Sequence, residues 1–282
     1  MMASCLIGTN SLLSDLGRML RLSCGHRSRL FLLALLWSLL HWSTLARADD
    51  PLQDQVAQLF PLPLDGTLTL VNTDGSIHVY GWNEPRVRLA ALRKAYTASR
   101  LQQIRIERSA TPASLTVRTV VPKVRGIFAD RSGTVDYSLT VPNSARLKLK
   151  MENGEIILEG LRGAGVDLDL VNGRVIALNC FAQVEAHSST GVMEAFFDWW
   201  EELPATFDYA LQRGRIGLRL PALAHFRVKA VTDNGRIHQG FGLPATTNAG
   251  TGQSLVGETG PNAPLSLSLR TGGGNISLDR IR

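Results

Sequence analysis

Seven glycines, each followed by a strand-like run, constrain the fold of this chain more than any other feature. They are Gly75, Gly154, Gly173, Gly191, Gly214, Gly235 and Gly274. Between Gly154 and Gly235 the spacings are 19, 18, 23 and 21 residues, and the two longer gaps, of 79 and 39 residues, are close to multiples of the same period. A fixed period of about 20 residues is typical of stacked β units that share one core.

The residues that follow each glycine alternate in polarity. The second residue is apolar in all seven units, and the fourth is apolar in six, with Gln239 as the exception. Such alternation indicates strands with one buried face. Ile157 and Ile176 lie between these apolar positions, so we expect their two strands to be covered on both faces.

Two architectures satisfy this pattern. Near-equal spacing predicts an all-β fold, a right-handed parallel β-solenoid or β-helix with repeats of roughly 20 residues. Asn153-Gly154 and similar pairs are also strong hairpin signals, so an antiparallel β-sandwich or meander is the alternative. Short helices are predicted only for residues 49–60 and 97–103, and residues 194–203 are ambiguous between helix and strand.

The N-terminal residues have the pattern of a signal peptide. Arg27 and Arg29 precede an apolar run at residues 30–40, and Ala46-Arg47-Ala48 follows it as a cleavage site. We therefore expect cleavage after Ala48. The alternative is an uncleaved anchor spanning residues 30–46, which would be the chain's one membrane contact.

The predicted organisation is a signal peptide at residues 1–48, a short segment at 49–60 and a repetitive β domain at 61–282. Met19 would begin a better-proportioned signal than Met1 does, so we expect it to be the true start. Whether the leader is cleaved or retained as an anchor, we expect the domain beyond the cytoplasmic membrane, in the periplasm or at the cell surface.

Charge and cysteine content narrow the functional classes. Five of the 30 basic residues and one of the 24 acidic residues precede Asp49, which leaves 25 basic and 23 acidic groups. Because a nucleic-acid-binding protein would show a basic patch or stripe, we expect no nucleic-acid partner. Cys180 is the single cysteine beyond the leader, and its apolar neighbours predict a buried, inert thiol.

Residue patterns for catalysis or metal binding are missing from the sequence. There is no Gly-x-Ser-x-Gly nucleophile motif, and the four histidines beyond the leader lie far apart in the sequence. Asp167 and Asp169 would share a strand face near Glu155 or Glu185, which indicates a solvated acidic surface rather than a calcium site. We therefore expect a non-enzymatic protein without catalytic residues, metal or cofactor.

An aromatic cluster interrupts the repeat at residues 196–200. Phe196, Phe197, Trp199 and Trp200 stand where a short strand and turn would be expected. These side chains either cover the core or are exposed for contacts with a ligand. Under the second interpretation, Trp199 and Trp200 are the candidate binding residues for a protein or glycan.

Several of these motifs occur together in an order that is similar to a known family. They are residues 60–82, Val141-Pro142, the Asn-Gly pairs at 153–154, 172–173 and 234–235, Leu220-Pro221, and residues 269–278. Over residues 58–282 the chain resembles the bacterial "putative adhesin" domain of unknown function. The resemblance implies a solenoid-like, all-β fold in exported proteins, without known catalytic residues.

The sequence thus predicts an exported, non-enzymatic protein that provides an adhesion-type or structural binding surface in the bacterial envelope. Two alternatives remain, a glycan-cleaving β-helix enzyme and an envelope scaffold or sensor. Parallel β-helices do host glycan-cleaving enzymes, whose chemistry needs two carboxylates about 5–10 Å apart, but no pair is selected by the sequence.

Overall fold

The computed structural model describes residues 50–123, 126 and 130–281, so the predicted signal peptide lies outside the described residues. One helix is present in these ranges, α1 (Ala98–Gln103), and it is too short and polar to cross a bilayer. The strands of the described part are β1 (Leu52–Pro61), β2 (Thr67–Trp82), β3 (Arg86–Ala95), β4 (Arg105–Ala110), β5 (Ser114–Val120), β6 (Thr134–Pro142), β7 (Arg146–Glu159), β8 (Arg162–Leu178), β9 (Phe181–Phe196), β10 (Ala205–Pro221), β11 (Phe226–Thr232), β12 (Ile237–Gln239), β13 (Thr247–Ala249), β14 (Gly252–Glu258), β15 (Leu265–Gly273) and β16 (Ile276–Ile281).

These strands form one large mixed sheet, which confirms the all-β prediction. Its centre is the parallel series β2, β7, β8, β9 and β10, in which each strand corresponds to one repeat. Antiparallel pairs border this series: β3 with β6, β1 with β3, β4 with β5, β14 with β11, and β13 with β14.

The seven repeat glycines stack in a single column across the sheet. All of them have φ between +129° and +157°, a backbone conformation that glycine adopts without steric cost. A Cβ on Gly173 would lie 1.8 Å from the carbonyl oxygen of Gly154, and a Cβ on Gly191 would lie equally close to that of Gly173. Only glycine therefore fits at these positions, where backbones approach one another directly.

The glycine column also shows where the Asn-Gly pairs lie. Asn153 and Gly154 are inside β7, which continues past them and pairs in parallel with β2 on one side and β8 on the other. Asn153-Gly154 is therefore not a hairpin turn. The positive φ is used to kink a continuous strand rather than to reverse its direction.

The core lies along the inward side of the kinked strands, as the alternation predicts. All seven apolar residues two positions after the glycines are buried, as are the six apolar residues four positions after them. Because the register is continuous, each set forms a column through the stack, and β7 adds Leu147, Leu149 and Met151 from the segment before its kink. On the outward side, Ile176 is also buried, whereas Ile157 is only partly covered.

Stacking order departs from sequence order at the C-terminal end. β15 and β16 pair in parallel with β10, and β11 and β12 follow them rather than preceding them. Gly274 therefore stacks between Gly214 and Gly235, with a Cβ on Gly274 1.8 Å from the Gly214 carbonyl oxygen.

The two helix predictions have opposite outcomes. Residues 97–103 contain α1, and the side chain of Thr97 caps it by accepting a hydrogen bond from the backbone N–H of Arg100 at 3.2 Å. The helix predicted at residues 49–60 is wrong, because Leu52–Pro61 is a strand paired antiparallel with β3. Tertiary pairing overrides local propensity in this segment.

Buried polar groups in the core are few. Cys180 is fully buried, and burial raises the pKa of its thiol to about 11, which confirms the prediction of a buried cysteine. The hydroxyl of Tyr137 shares a 2.7 Å hydrogen bond with that of Thr119. The hydroxyl of Tyr209, by contrast, is buried with no hydrogen-bond partner among the described residues, and burial raises its pKa well above the usual value.

Candidate functional site

A groove of about 1140 Å³ crosses the stacked strands on the N-terminal side of the glycine column. It is lined by residues of seven successively paired strands, from β5 through β2, β7, β8, β9 and β10 to β15. Because neighbouring strands are about 4.8 Å apart, the groove is about 29 Å long. Such a shape fits an extended chain rather than a compact small molecule.

One row of side chains lines the groove at the position four residues before each glycine. The strand register places these residues side by side in the order Val71, Lys150, Asp169, His187, Ala210 and Arg270. Lys150 Nζ lies 2.7 Å from Asp169 Oδ2, and the hydrogen bond from Lys150 to that carboxylate raises the pKa of Lys150. The row therefore presents charges of both signs.

The residues next to this row combine apolar and polar groups. Val171 is 47% exposed in the groove, whereas Leu170 and Met151 are buried beneath it. Asn72 is 3% exposed, and its amide nitrogen donates to the carbonyl oxygen of Val135 at 2.9 Å. Charged, amide and apolar side chains thus all line the groove.

Sequence reasoning did not identify this row, although a signal for it was present. Its members share one offset from the repeat glycine, so aligning the repeats on the glycines would have brought them together. Their chemistry differs from strand to strand, and no residue type repeats along the row. The row is recognisable by register and not by a motif.

Three carboxylates form a second row on the same face. Asp167, Glu185 and Asp208 are register neighbours on β8, β9 and β10, and all three are exposed beside a smaller cavity of about 480 Å³. The predicted proximity of Asp167 and Glu185 is confirmed. Glu155, however, follows the repeat glycine Gly154, and its carboxylate lies 3.7 Å from Arg174.

No metal centre is apparent among the residues that the structure describes. Groups of three or more His, Cys, Asp or Glu side chains in ligand geometry are absent from these ranges. His187 Nε2 lies 3.1 Å from Glu185 Oε1, and His225 Nδ1 lies 3.2 Å from Glu202 Oε1.

The aromatic cluster divides into a packed and an exposed part. Phe197 is buried, and Trp200 packs edge-on against Phe181 and Phe197, with ring centroids 6.2 and 6.1 Å apart. Trp199 is 45% exposed, and its indole N–H donates to Glu201 Oε1 at 3.0 Å. The two candidate binding residues therefore differ, since Trp200 contributes to the core and Trp199 faces solvent.

Polar contacts hold the connection that carries these tryptophans. Both terminal nitrogens of Arg162 donate to the Glu201 carboxylate, at 2.5 and 2.7 Å. These hydrogen bonds lower the pKa of Glu201 to about 2 and raise that of Arg162. The side chain of Asn179 exchanges two hydrogen bonds with Asp198, at 2.8 and 2.9 Å. The exposed ring of Trp199 thus sits on an anchored loop.

An ion-pair network lies on the outward side of the segments after the kink. Glu194 is only 7% exposed, and it accepts hydrogen bonds from Arg174 at 2.6 Å and from Arg215 at 2.9 Å. These arginines belong to the strands on either side of Glu194, so the network ties β8, β9 and β10 together. We assign it a structural role.

Comparisons with known proteins identify distant structural neighbours. No family model matches the chain, and no curated protein matches it. A solved structure described as a "putative cell adhesion protein" from Clostridium sporogenes aligns with 81% of this chain and 100% of its own, at 9% identity and a TM-score of 0.46. A "putative adhesin" from Bacteroides fragilis aligns with 81% of this chain and 97% of its own, at 12% identity and a TM-score of 0.25.

Proposed function

We propose that this chain is an exported, non-enzymatic protein whose stacked strands provide an adhesion-type binding surface in the bacterial envelope. The observation that carries the proposal is the groove, in which side chains from successive parallel strands line up in register over about 29 Å. An elongated, chemically varied site of this kind suits an extended segment of a protein or glycan ligand.

The strand pairing supports the finer description of the fold as a β-solenoid. From β7 to β10, each strand contributes one repeat and one kink, and only two residues separate β7 from β8 and β8 from β9. In such a stack, side chains at one repeat offset form the rows that line the groove.

Export and envelope location are supported by the sequence of the leader. Positive charge, an apolar run and Ala46-Arg47-Ala48 occur in the order of a cleaved signal peptide. The domain is compatible with an oxidising compartment, because its single cysteine, Cys180, is buried and is not available for unwanted disulfides.

The binding role is favoured over glycan hydrolysis by the setting of the carboxylates. Asp167, Glu185 and Asp208 form a row of register-neighbouring acids, and each of the three is exposed. A glycosidase keeps its general acid protonated by placing it in an apolar environment. An exposed row lacks that environment, so we assign it to the solvated surface.

The proposal is tested by measuring the binding of the secreted protein to arrays of glycans and extended peptides. Val171→Arg places a charged side chain in the groove, and Val256→Arg is the control because Val256 is 68% exposed on β14 and lies outside the groove. We expect binding that Val171→Arg reduces at least tenfold and Val256→Arg leaves intact. Equal binding by both variants would contradict the groove as the site, and hydrolysis of a bound glycan would contradict the non-enzymatic role.

A further inference from the structure

β1 differs from the other strands that border the sheet. Within the described residues, β1, β4, β12 and β13 each pair on one edge only. β12 and β13 have three residues each, and β4 carries Arg105, Glu107 and Arg108. Short length and charge are two of the devices by which edge strands avoid pairing with other chains, so these three edges are protected.

β1 has neither form of protection. It is ten residues long, without Lys, Arg or an internal proline, and its single charge, Asp54, is already paired with Arg93 of β3. Leu52 and Leu59 are 44% and 52% exposed. A long, nearly uncharged strand with a free edge and exposed apolar side chains is suited to pairing with another strand.

The sequence of β1 indicates which strand it can pair with. On the face shared with the buried residues of β3, β1 presents Leu52, Asp54, Val56, Gln58 and Phe60. The polarity of this face is symmetric about Val56. The residues two positions away on either side, Asp54 and Gln58, are polar, and the residues four positions away, Leu52 and Phe60, are apolar.

Symmetric polarity is what an antiparallel strand needs in order to pair with itself. A two-fold axis perpendicular to a sheet keeps side chains on their own face and makes the contact isologous. An axis through Val56 would place Val56 opposite its counterpart, Leu52 opposite Phe60, and Asp54 opposite Gln58. On this face apolar groups then meet apolar groups, and no like charges are opposed.

We propose that β1 is a dimerisation edge, and that it pairs antiparallel with β1 of a second copy of this chain about a two-fold axis at Val56. The contact joins two sheets into one continuous sheet and places the exposed Leu52 of each copy beside Phe60 of the other. It is independent of the groove, which lies on other strands and would be presented twice by the dimer.

A disulfide scan tests the symmetry axis in the full chain carrying Cys5→Ser and Cys24→Ser. Directly opposed residues of antiparallel strands have Cα atoms about 4.5–5.5 Å apart, within disulfide reach. Val56→Cys is therefore expected to give a covalent dimer under mild oxidation. Leu59→Cys is the matched control, because its two copies would be about 20 Å apart, and it should remain uncrosslinked.

Charge variants test the same edge without a covalent bond. Val56→Lys and Val56→Glu each oppose two like charges at the axis, so each variant alone should sediment as a monomer while keeping the circular dichroism spectrum of the parent. Mixing the two should restore a dimer. Leu223→Lys, at a residue 64% exposed elsewhere, should sediment like the parent. A monomeric parent, or equal crosslinking at Val56→Cys and Leu59→Cys, would overturn the proposal.

Discussion

Gly173 lies directly beside Gly154 in the sheet, so close that a Cβ on Gly173 would be 1.8 Å from the Gly154 carbonyl oxygen. The same relationship recurs along the column and sets the separation of the strands at the kink. The repeat glycines are required for two reasons, positive φ and direct backbone contact, and each reason alone excludes other residues.

Gly173→Ala is expected to destabilise the protein by about 2–6 kcal/mol, because backbone strain and overpacking each cost roughly 1–3 kcal/mol. Gly165→Ala in the same strand is the control, since a Cβ at Gly165 has nothing within 4 Å. Chemical denaturation of both variants gives the comparison. A Gly173→Ala protein as stable as the control would contradict the close approach of the two strands.

The two buried tyrosines should respond oppositely to removal of the hydroxyl. Tyr209→Phe deletes a buried group without a partner, so stability should be unchanged or should rise by about 1 kcal/mol. Tyr137→Phe should lose about 1–2 kcal/mol, because it leaves the Thr119 hydroxyl unpaired. The free energies of unfolding measure both effects, and a cost for Tyr209→Phe equal to that of Tyr137→Phe would show that Tyr209 has a hydrogen-bond partner.

Trp199 and Trp200 should be separable by single substitutions to serine. Trp200→Ser removes packing against Phe181 and Phe197 and should cost about 2 kcal/mol, less than the 3–5 kcal/mol of a fully buried tryptophan. Trp199→Ser should lower stability by less than about 1 kcal/mol. Thermal melts of both variants provide the test, and a larger loss for Trp199→Ser would reverse the assignment of core and surface.

The ion pair between Arg162 and Glu201 should make stability sensitive to acid. The pKa of Glu201 is lowered from 4.5 to about 2, so its contribution is complete above about pH 4.5 and is lost as the pH falls towards 2. Glu201→Gln should therefore be less stable than the parent at pH 7, and the difference should shrink over this range. Denaturation at pH 7, 4 and 2 measures it, and a difference that is constant with pH would contradict the ion pair.

The repeat and its buried face could be predicted from the sequence because both depend on local rules. Ile77 and Val79 alternate with the polar residues Ser76 and His78 after Gly75, and such alternation places the apolar residues on one face of a strand. Positive φ at Asn-Gly was also predictable, but the sequence could not distinguish a hairpin from a kinked strand. That choice depends on which strands pair, and pairing is decided by contacts across the whole sheet.

Other features depend on contacts that no local pattern records. Residues 49–60 lack the alternation of a half-buried strand because most side chains of β1 are exposed, and only its pairing with β3 makes it a strand. The position of Gly274 between Gly214 and Gly235 in the stack follows from a non-sequential connection. The groove row from Val71 to Arg270 shares no residue type, so register alone reveals it.

The parallel, in-register stack underlies both the groove and the proposed binding role, and one distance tests it most directly. Lys148 and Lys229 are exposed and occupy the same register position five strand separations apart, through β8, β9, β10 and β15. In the chain carrying Cys5→Ser and Cys24→Ser, diluted with unlabelled protein so that each dimer holds at most one labelled copy, spin labels at Lys148→Cys and Lys229→Cys should give a single distance of about 24 Å by pulsed electron paramagnetic resonance. Antiparallel stacking would move the labels towards opposite strand ends, so a main distance above about 35 Å would contradict the account.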